Sequence, residues 1–469
     1  MARVRAVTPN SQRTDSSKQF LYYYSPNPLL SLRLPGLNRP ELSKSLTPKP
    51  ISSRHLSKPR SNKEVSPPIP SKSRVFRAIW TRIDHEEGRP EVREGAAMAE
   101  CCGVLYLYGG LSASVLRDLY SKQSVNAVWT PVNTAGMELE ARYGHSMLEH
   151  STSIVIFGGN TTSRLRASMR DCLNTVRVLE PGVSSRVLNA GFLGTKGTAV
   201  DMRRYHSACI LGRHMVTVGG MNQKNKVLDD CSVLDLETSK WSSLRLINDA
   251  AALACHSAAA VFEPHILVSG IFDPILTESS AHIRHRGIYL FGGVNNKGEP
   301  NNILRLIQPA QKYLICVQLA TGGKSPEPRY QHSMVFSKHA NALVVFGGKT
   351  GTPGKCGNVL NDVHVLDLET LMWAEVVVVG QVPEARCAHA MGTLQEKIVL
   401  FGGINLTSFC SAETYWLDLE PHTPPTNAPR LFASQRFTGS RSSSVIRKGF
   451  TQRLNQTFGL NHKPWSPSN

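Results

Sequence analysis

Short apolar runs recur along the middle of the chain, four to six residues long, β-branched or aromatic in type and bounded by Gly, Asn or Asp, as in LVVFGG and HVLDL. Such side chains fit a pleated, half-buried surface and such flanking residues favour turns, so the runs predict short β-strands. The runs are periodic. Six of them end in a glycine pair: Gly109 and Gly110, Gly158 and Gly159, Gly219 and Gly220, Gly292 and Gly293, Gly347 and Gly348, Gly402 and Gly403. Other residues keep step with the pair. A histidine stands thirteen residues before its first glycine in three copies (His145, His206, His389) and fifteen before it in a fourth (His332), and an arginine lies three residues before each (Arg142, Arg203, Arg329, Arg386). Trp80, Trp129 and Trp373 each stand twenty-nine residues before a pair. After the pair come a loop, a Leu/Asn/Asp turn and a second apolar run, clearest in VLDDCSVLDLETSKW (227–241) and VLNDVHVLDLETLMW (359–373).

Each module offers about four strands in about 50 residues, a unit that cannot bury its faces without neighbours. Six such units in a ring solve that problem, so the sequence predicts an all-β, six-bladed β-propeller over residues 76–423. The glycine pair suits a point where a strand leaves a crowded sheet and needs free φ and no side chain. Trp80, Trp129, Trp241 and Trp373 are expected to fill the space between adjacent blades. Taken together, Arg-x-x-His-Ser, the apolar strand, Gly-Gly, the Tyr/Leu-Asp turn and the spaced tryptophan resemble the kelch repeat, over about three quarters of the chain. The resemblance implies a kelch-type propeller.

The departures from the pattern are also informative. In the fourth module the spacing from Trp241 and His256 calls for a glycine pair at Ser269 and Gly270, whereas the following module calls for it at Gly292. Both are satisfied by an insertion near residues 266–288, either a surface loop or a translated intron. Modules two and four lack the spaced tryptophan, and module one has Ala96 in place of the histidine, so these blades are expected to pack less tightly. The last module ends in TYWLDLE (414–420) with no closing strand, while VFRAIWTRID (75–84) is such a strand without a module of its own. The N-terminal strand is therefore expected to complete the last blade and hide two edges.

Charge changes the picture outside the repeat. The net charge of +18 is confined to the ends: residues 1–75 hold 14 Lys and Arg against three acids, residues 424–469 hold seven basic residues and no acid, and the middle is neutral. Both ends are rich in Ser, Pro, Lys and Arg, too poor in apolar periodicity to offset the entropy of ordering, and read as disordered basic tails. Flexible arms of this charge would attract a polyanion, whether a cytoskeletal filament, a nucleic acid or an anionic membrane. Thr8, Ser25, Thr47, Ser66 and Ser466, each before proline, are candidate phosphorylation sites that would remove part of that charge. The arm resembles those of microtubule-associated proteins in composition only. Pro26 and Pro28 interrupt the place where a secretory apolar region would lie, and no run is long enough to predict a transmembrane segment. The ten scattered cysteines fit reduced thiols, so a cytoplasmic location is expected, with organelle import through the basic N-terminus as the alternative.

A search for chemistry finds little. The histidines recur once per blade, as structural marks do. The resemblance extends to catalytic relatives: galactose-oxidase-like proteins bind copper through tyrosine and histidine, and nitrile-specifier proteins hold Glu-x-x-x-Asp-x-x-x-His, a pattern absent here. The glycine pairs lack a phosphate-loop context. His282, Arg284, His285 and Arg286 read as a solvated loop. No catalytic residue, metal site or cofactor is predicted. The expected role is a non-catalytic scaffold for protein partners, with Arg142, Tyr143, Arg203, Tyr205, Arg329, Tyr330 and Arg386 as candidate contacts on the propeller rim, since Arg and Tyr are enriched at binding hot spots. The alternatives are a substrate adaptor of a ubiquitin ligase, disfavoured because no BTB or F-box pattern is visible, and an RNA-linked or metal-dependent kelch enzyme.

Overall fold

The computed structural model describes residues 74–84, 88–162, 170–181, 187–244, 246–248, 252–261, 286–309, 313–354, 357–407, 409 and 412–422. The predicted tails, apart from Arg74 and Val75, and most of the predicted insertion lie outside them. Secondary structure among the described residues is all strand.

The antiparallel registers define six four-stranded units, named here from the innermost strand outward. Unit 1 is Ala97–Cys101, Val104–Tyr108, Leu119–Lys122 and Thr130–Pro131. Unit 2 is Ser146–His150, Ser153–Phe157, Val176–Pro181 and Val187–Phe192. Unit 3 is Ser207–Leu211, His214–Val218, Cys231–Asp235 and Lys240–Ser243. Unit 4 is Ser257–Val261, Gly287–Phe291, Leu304–Pro309 and Leu314–Gln318. Unit 5 is Ser333–Ser337, Ala342–Lys349, Val359–Asp367 and Met372–Gly380. Unit 6 is Ala390–Leu394, Lys397–Phe401 and Thr414–His422, closed by Val75–Ile83 on its outer side. Parallel pairing of Glu375–Gly380 on Val75–Trp80 fuses units 5 and 6 into one sheet, so the units are counted by registers and not by sheets.

Closure is written in backbone hydrogen bonds. The amide of Gly95 donates to Ala388, Ala388 to Gln331, Gln331 to Cys255, Cys255 to Tyr205, Tyr205 to Gly144 and Gly144 to Gly95, at 2.7–2.9 Å. These six residues, one per unit, all have φ between 52° and 64°. A second closed circuit lies further out, where the second glycine of each pair donates to the next unit: Gly110 to Arg142, Gly159 to Arg203, Gly220 to Leu253, Gly293 to Arg329, Gly348 to Arg386 and Gly403 to Arg93, at 2.8–2.9 Å. The chain is thus a closed propeller ring, and the N-terminal strand completes the last unit as the sequence predicts. The seam between units 6 and 1 is also held by the Trp129 indole N–H, 2.8 Å from the Thr414 hydroxyl.

The tryptophans sit between units. Trp241 packs on Phe157, Trp373 on Phe291, Trp80 on Phe346 and Trp129 on Phe401, with ring centroids 5.0–6.0 Å apart. Each partner is the aromatic residue just before a glycine pair. At the two interfaces without a tryptophan that residue is not Phe: it is Tyr108, whose hydroxyl donates to the Glu140 carbonyl, or Val218, packed among Ile307, Leu314 and Cys316. Both residues are buried, so a hydrogen bond and an aliphatic cluster occupy the places where the other interfaces have a tryptophan contact.

In unit 4 Val261 pairs with Gly287, so the extra residues enter at the hairpin between the first and second strands. The expected insertion ends earlier than 288, because Gly287 and Ile288 already belong to the second strand.

Gly144 tests the innermost circuit. With φ at 64°, a Cβ there would lie 2.9 Å from Tyr205 Cε1, whereas Ala388 holds the equivalent place with its methyl group accommodated. Gly144→Ala is expected to cost about 2–4 kcal/mol, from left-handed strain plus collision with the tyrosine. Urea unfolding checks it; a loss under about 1 kcal/mol, the low end of overpacking costs, counts against the stated geometry.

Candidate functional site

Two layers of polar side chains sit inside the ring. In the first, Arg93, Arg142, Arg203, Arg329 and Arg386 are at most 1% exposed. Each donates from Nη1, at 3.0 Å, to the carbonyl of the first glycine of its own pair: Gly109, Gly158, Gly219, Gly347 and Gly402. Three make bidentate pairs with the aspartate of the Leu-x-Asp turn, Arg93 with Asp118, Arg203 with Asp230 and Arg329 with Asp362, at 2.5–2.8 Å. Arg142 instead donates to Glu140 at 2.6 Å and to the Thr175 hydroxyl at 3.2 Å. Burial alone would raise the Glu140 carboxyl, but the Arg177 hydrogen bond and the Arg142 charge outweigh it and hold it at about 2. Unit 4 departs at both partners: Leu253 replaces the arginine, Ile303 replaces the aspartate, and the Asn301 amide donates to the Gly292 carbonyl at 3.2 Å.

The second layer holds His145, His206, His256, His332 and His389, all buried. Four set an edge against the aromatic residue of the preceding unit, Tyr108, Phe157, Phe291 and Phe346. His206 and His332 reach back to the hydroxyls of Ser146 and Ser257 at 3.0 and 2.6 Å. The ring nitrogens of His145, His256 and His389 have no hydrogen-bond partner among the described residues; the preceding units hold Ala97, Ser207 and Ser333 at the facing position, and the two serines donate instead to the His256 and His389 carbonyls at 3.0 Å.

The repetition ends at the mouth of the ring. One residue past each arginine mark stand Glu94, Tyr143, Arg204, Ala254, Tyr330 and Cys387, bridged to the residues after the glycine pairs, Leu111, Asn160, Met221, Val294, Lys349 and Ile404. The Tyr205 ring lies over Gly144, edge-on to Tyr143 at 6.2 Å, with the Arg204 guanidinium 5.8 Å from its centre. A polar chain extends from it: Asn160 donates to the Tyr143 hydroxyl at 3.0 Å, the Cys172 thiol donates to Asn160 at 3.0 Å, and Arg204 donates to the Cys172 sulfur at 3.2 Å. Burial raises the Glu94 carboxyl to about 7 and the Tyr205 hydroxyl well above its ordinary range.

Of the residues expected on the rim, Arg142, Arg203, Arg329 and Arg386 lie in the interior layer, which corrects their expected placement. A guanidinium can be buried there because a glycine carbonyl, and in most units a carboxylate, meets it. Tyr143 and Tyr330 are buried beside the mouth and Tyr205 is half-buried in it. Sequence reading missed Arg93, although it precedes Gly109 by the same 16 residues that separate Arg142, Arg203 and Arg386 from their glycines. It also missed Glu94 and Arg204, whose only signal is their place one residue after the mark.

Residues 74–270 and 279–444 match the family model of the KLHDC2/KLHL20/DRC7 Kelch-repeats domain. The chain belongs to the Kelch-repeat family. Among Kelch-repeat relatives, Kelch domain-containing protein 2 of Bos taurus is 26% identical over 307 residues, 55% of this chain and 69% of that protein. The Arabidopsis thaliana proteins acyl-CoA-binding domain-containing protein 4 and Adagio protein 3 are 26% and 28% identical, covering 48% and 49% of this chain. The chain spans about a third of the length of each of these two. The solved structure of YjhT shares the fold, with a TM-score of 0.53 at 13% identity over 70% of this chain and 95% of that one.

The Kelch histidines predict acid sensitivity. Burial, aided by neighbouring arginines, holds His256 and His389 at about 3 and the other three well below 6.5. The unfolded chain protonates them near 6.5 and the folded one does not, so their contribution is complete above that pH and is lost as pH falls toward 3. Each is expected to remove about 1.4 kcal/mol per pH unit in that window. Urea midpoints from pH 7 to 5 should fall steeply; a flat profile counts against neutral buried histidines. Ala97→Ser is expected to supply a hydroxyl that meets either the His145 ring, as Ser146 and Ser257 meet theirs, or its carbonyl, as Ser207 and Ser333 do, and to add about 0.5–1.5 kcal/mol, read by the same unfolding assay, while a decrease excludes both contacts.

Proposed function

We propose that this Kelch-repeat chain is a protein-interaction scaffold whose working surface is the mouth of the ring. Kelch-repeat domains are in general binding scaffolds rather than enzymes. The observation that carries the reading for this chain is internal: positions that build the ring repeat from unit to unit, whereas the six mouth positions differ, with Tyr143, Ala254, Tyr330 and Cys387 packed inward and Glu94 and Arg204 partly exposed. Rigid scaffolds commonly hold binding residues in such freely varying loops. The exposed Leu406, two residues past Ile404, adds an apolar contact beside the mouth. The basic segments 1–75 and 424–469 add polyanion contact in the same proposal, and a cytoplasmic setting accords with the reduced thiols of Cys101, Cys102, Cys172, Cys209 and Cys231.

Crosslinking and mass spectrometry in cells should show partners of the full chain that are lost with Leu406→Asp and Lys349→Glu. They should be kept with Lys338→Glu and Gln395→Lys, which alter the hairpins at the opposite ends of the strands. Equal loss from both sets, or loss only from the second, overturns the assignment of the mouth.

A further inference from the structure

Between units 1 and 2 an open crevice of about 540 Å³ is walled by Val115, Leu139 and Ala141, with Thr161 and Arg177 on its unit 2 side. Arg177 is only 6% exposed. Its Nε and Nη2 donate to Glu140, while Nη1 is directed at the Met137 sulfur, 3.6 Å away, and its guanidinium stands 5.5 Å from the Phe192 ring centre. A thioether is a weak acceptor, so a buried cation lining the crevice is left with a poor partner on the Met137 side.

Arg142 and Arg177 share the single carboxylate of Glu140, and Arg117 pairs with Glu138 at the surface. The cluster thus counts three guanidinia against two carboxylates, with Arg142 fully buried behind the wall and the side chains that line the crevice balanced, Arg117 and Arg177 against Glu138 and Glu140. Met137, at 52% exposure, is free to yield its place.

We propose that this crevice binds an acidic peptide, one carboxylate side chain displacing the Met137 sulfur from Arg177 and an adjacent apolar side chain lying on Val115 and Leu139. A guanidinium meeting a carboxylate forms a charge-assisted hydrogen bond, stronger than any it makes to sulfur. The crevice is a second surface of the scaffold proposed above and rests on that reading for its peptide ligand.

The test uses the full chain and a displayed library of random octapeptides. Panning on the natural chain should enrich peptides with Asp or Glu beside an apolar residue. Met137→Glu places a carboxylate against Arg177 from within, so those peptides should bind it at least about tenfold more weakly, the scale of one lost charged hydrogen bond. Met137→Leu, which keeps the crevice open and uncharged, should leave binding within about twofold. Because the side chain is half exposed, thermal melts should show both variants folded. Enrichment without acidic residues, unchanged binding to Met137→Glu, or equal loss with Met137→Leu each overturns the proposal. Enriched peptides that release on Leu406→Asp but not on Met137→Glu would sink the crevice and leave the scaffold reading standing.

Discussion

Each unit of this protein must hand its backbone hydrogen bonds to the next around a closed circle, and most of the repeat marks are consequences of that constraint. The first glycine of a pair illustrates the chain of cause. A Cβ on Gly109 would lie 2.4 Å from the Arg142 carbonyl of the next unit, so only glycine fits there, at a φ of 64°. The adjacent amide then donates to that same carbonyl. The carbonyl of Gly109, facing inward where no strand can reach it, would be a buried acceptor without a partner, and the Arg93 guanidinium meets it. Burying arginine in turn calls for a carboxylate, which the Leu-x-Asp turn supplies.

Unit 4 shows that these links are coupled. Loss of arginine alone would strand both a glycine carbonyl and an aspartate, each costing more than the net worth of the bond it lost. The chain instead changes three positions together: Leu253 and Ile303 remove the charges as a pair, and Asn301 takes over the carbonyl. Replacing both partners of a buried ion pair by apolar groups is often neutral, whereas removing one is not. The same unit lacks the tryptophan and accepts extra residues at its first hairpin, so the ring tolerates a divergent unit provided the hydrogen-bond circuit stays whole.

This coupling explains what could be read in advance. The glycine pairs, the buried tryptophans and the closing strand were legible because each obeys a backbone or packing demand that recurs at fixed spacing. The arginines were legible as marks but not as interior residues. A charged side chain next to a strand reads as exposed unless its partners are known, and those partners are a carbonyl of the pair and an aspartate 25–33 residues away. A further mark escaped notice: Gly136, Gly197, Gly323 and Gly380 each face the carbonyl of an outer-strand residue in the following unit, Ala190, Trp241, Trp373 and Trp80. Asn248, at φ 82°, pairs with Cys316 in the corresponding place in unit 4. Substituted by asparagine and set in variable linkers, that third circuit leaves too weak a pattern to see from one chain.

The candidate site was the least legible part, for the reason that makes it a site. A residue such as Arg142 is fixed by a glycine carbonyl and a carboxylate and repeats in nearly every unit, while the side chains at Glu94, Arg204 and Lys349 differ from those at the equivalent positions of the other units. Their side chains can change without breaking a circuit. In a closed ring the informative positions are therefore those one step past the marks, where six equivalent backbones carry unequal side chains and symmetry of the frame gives way to asymmetry of the surface.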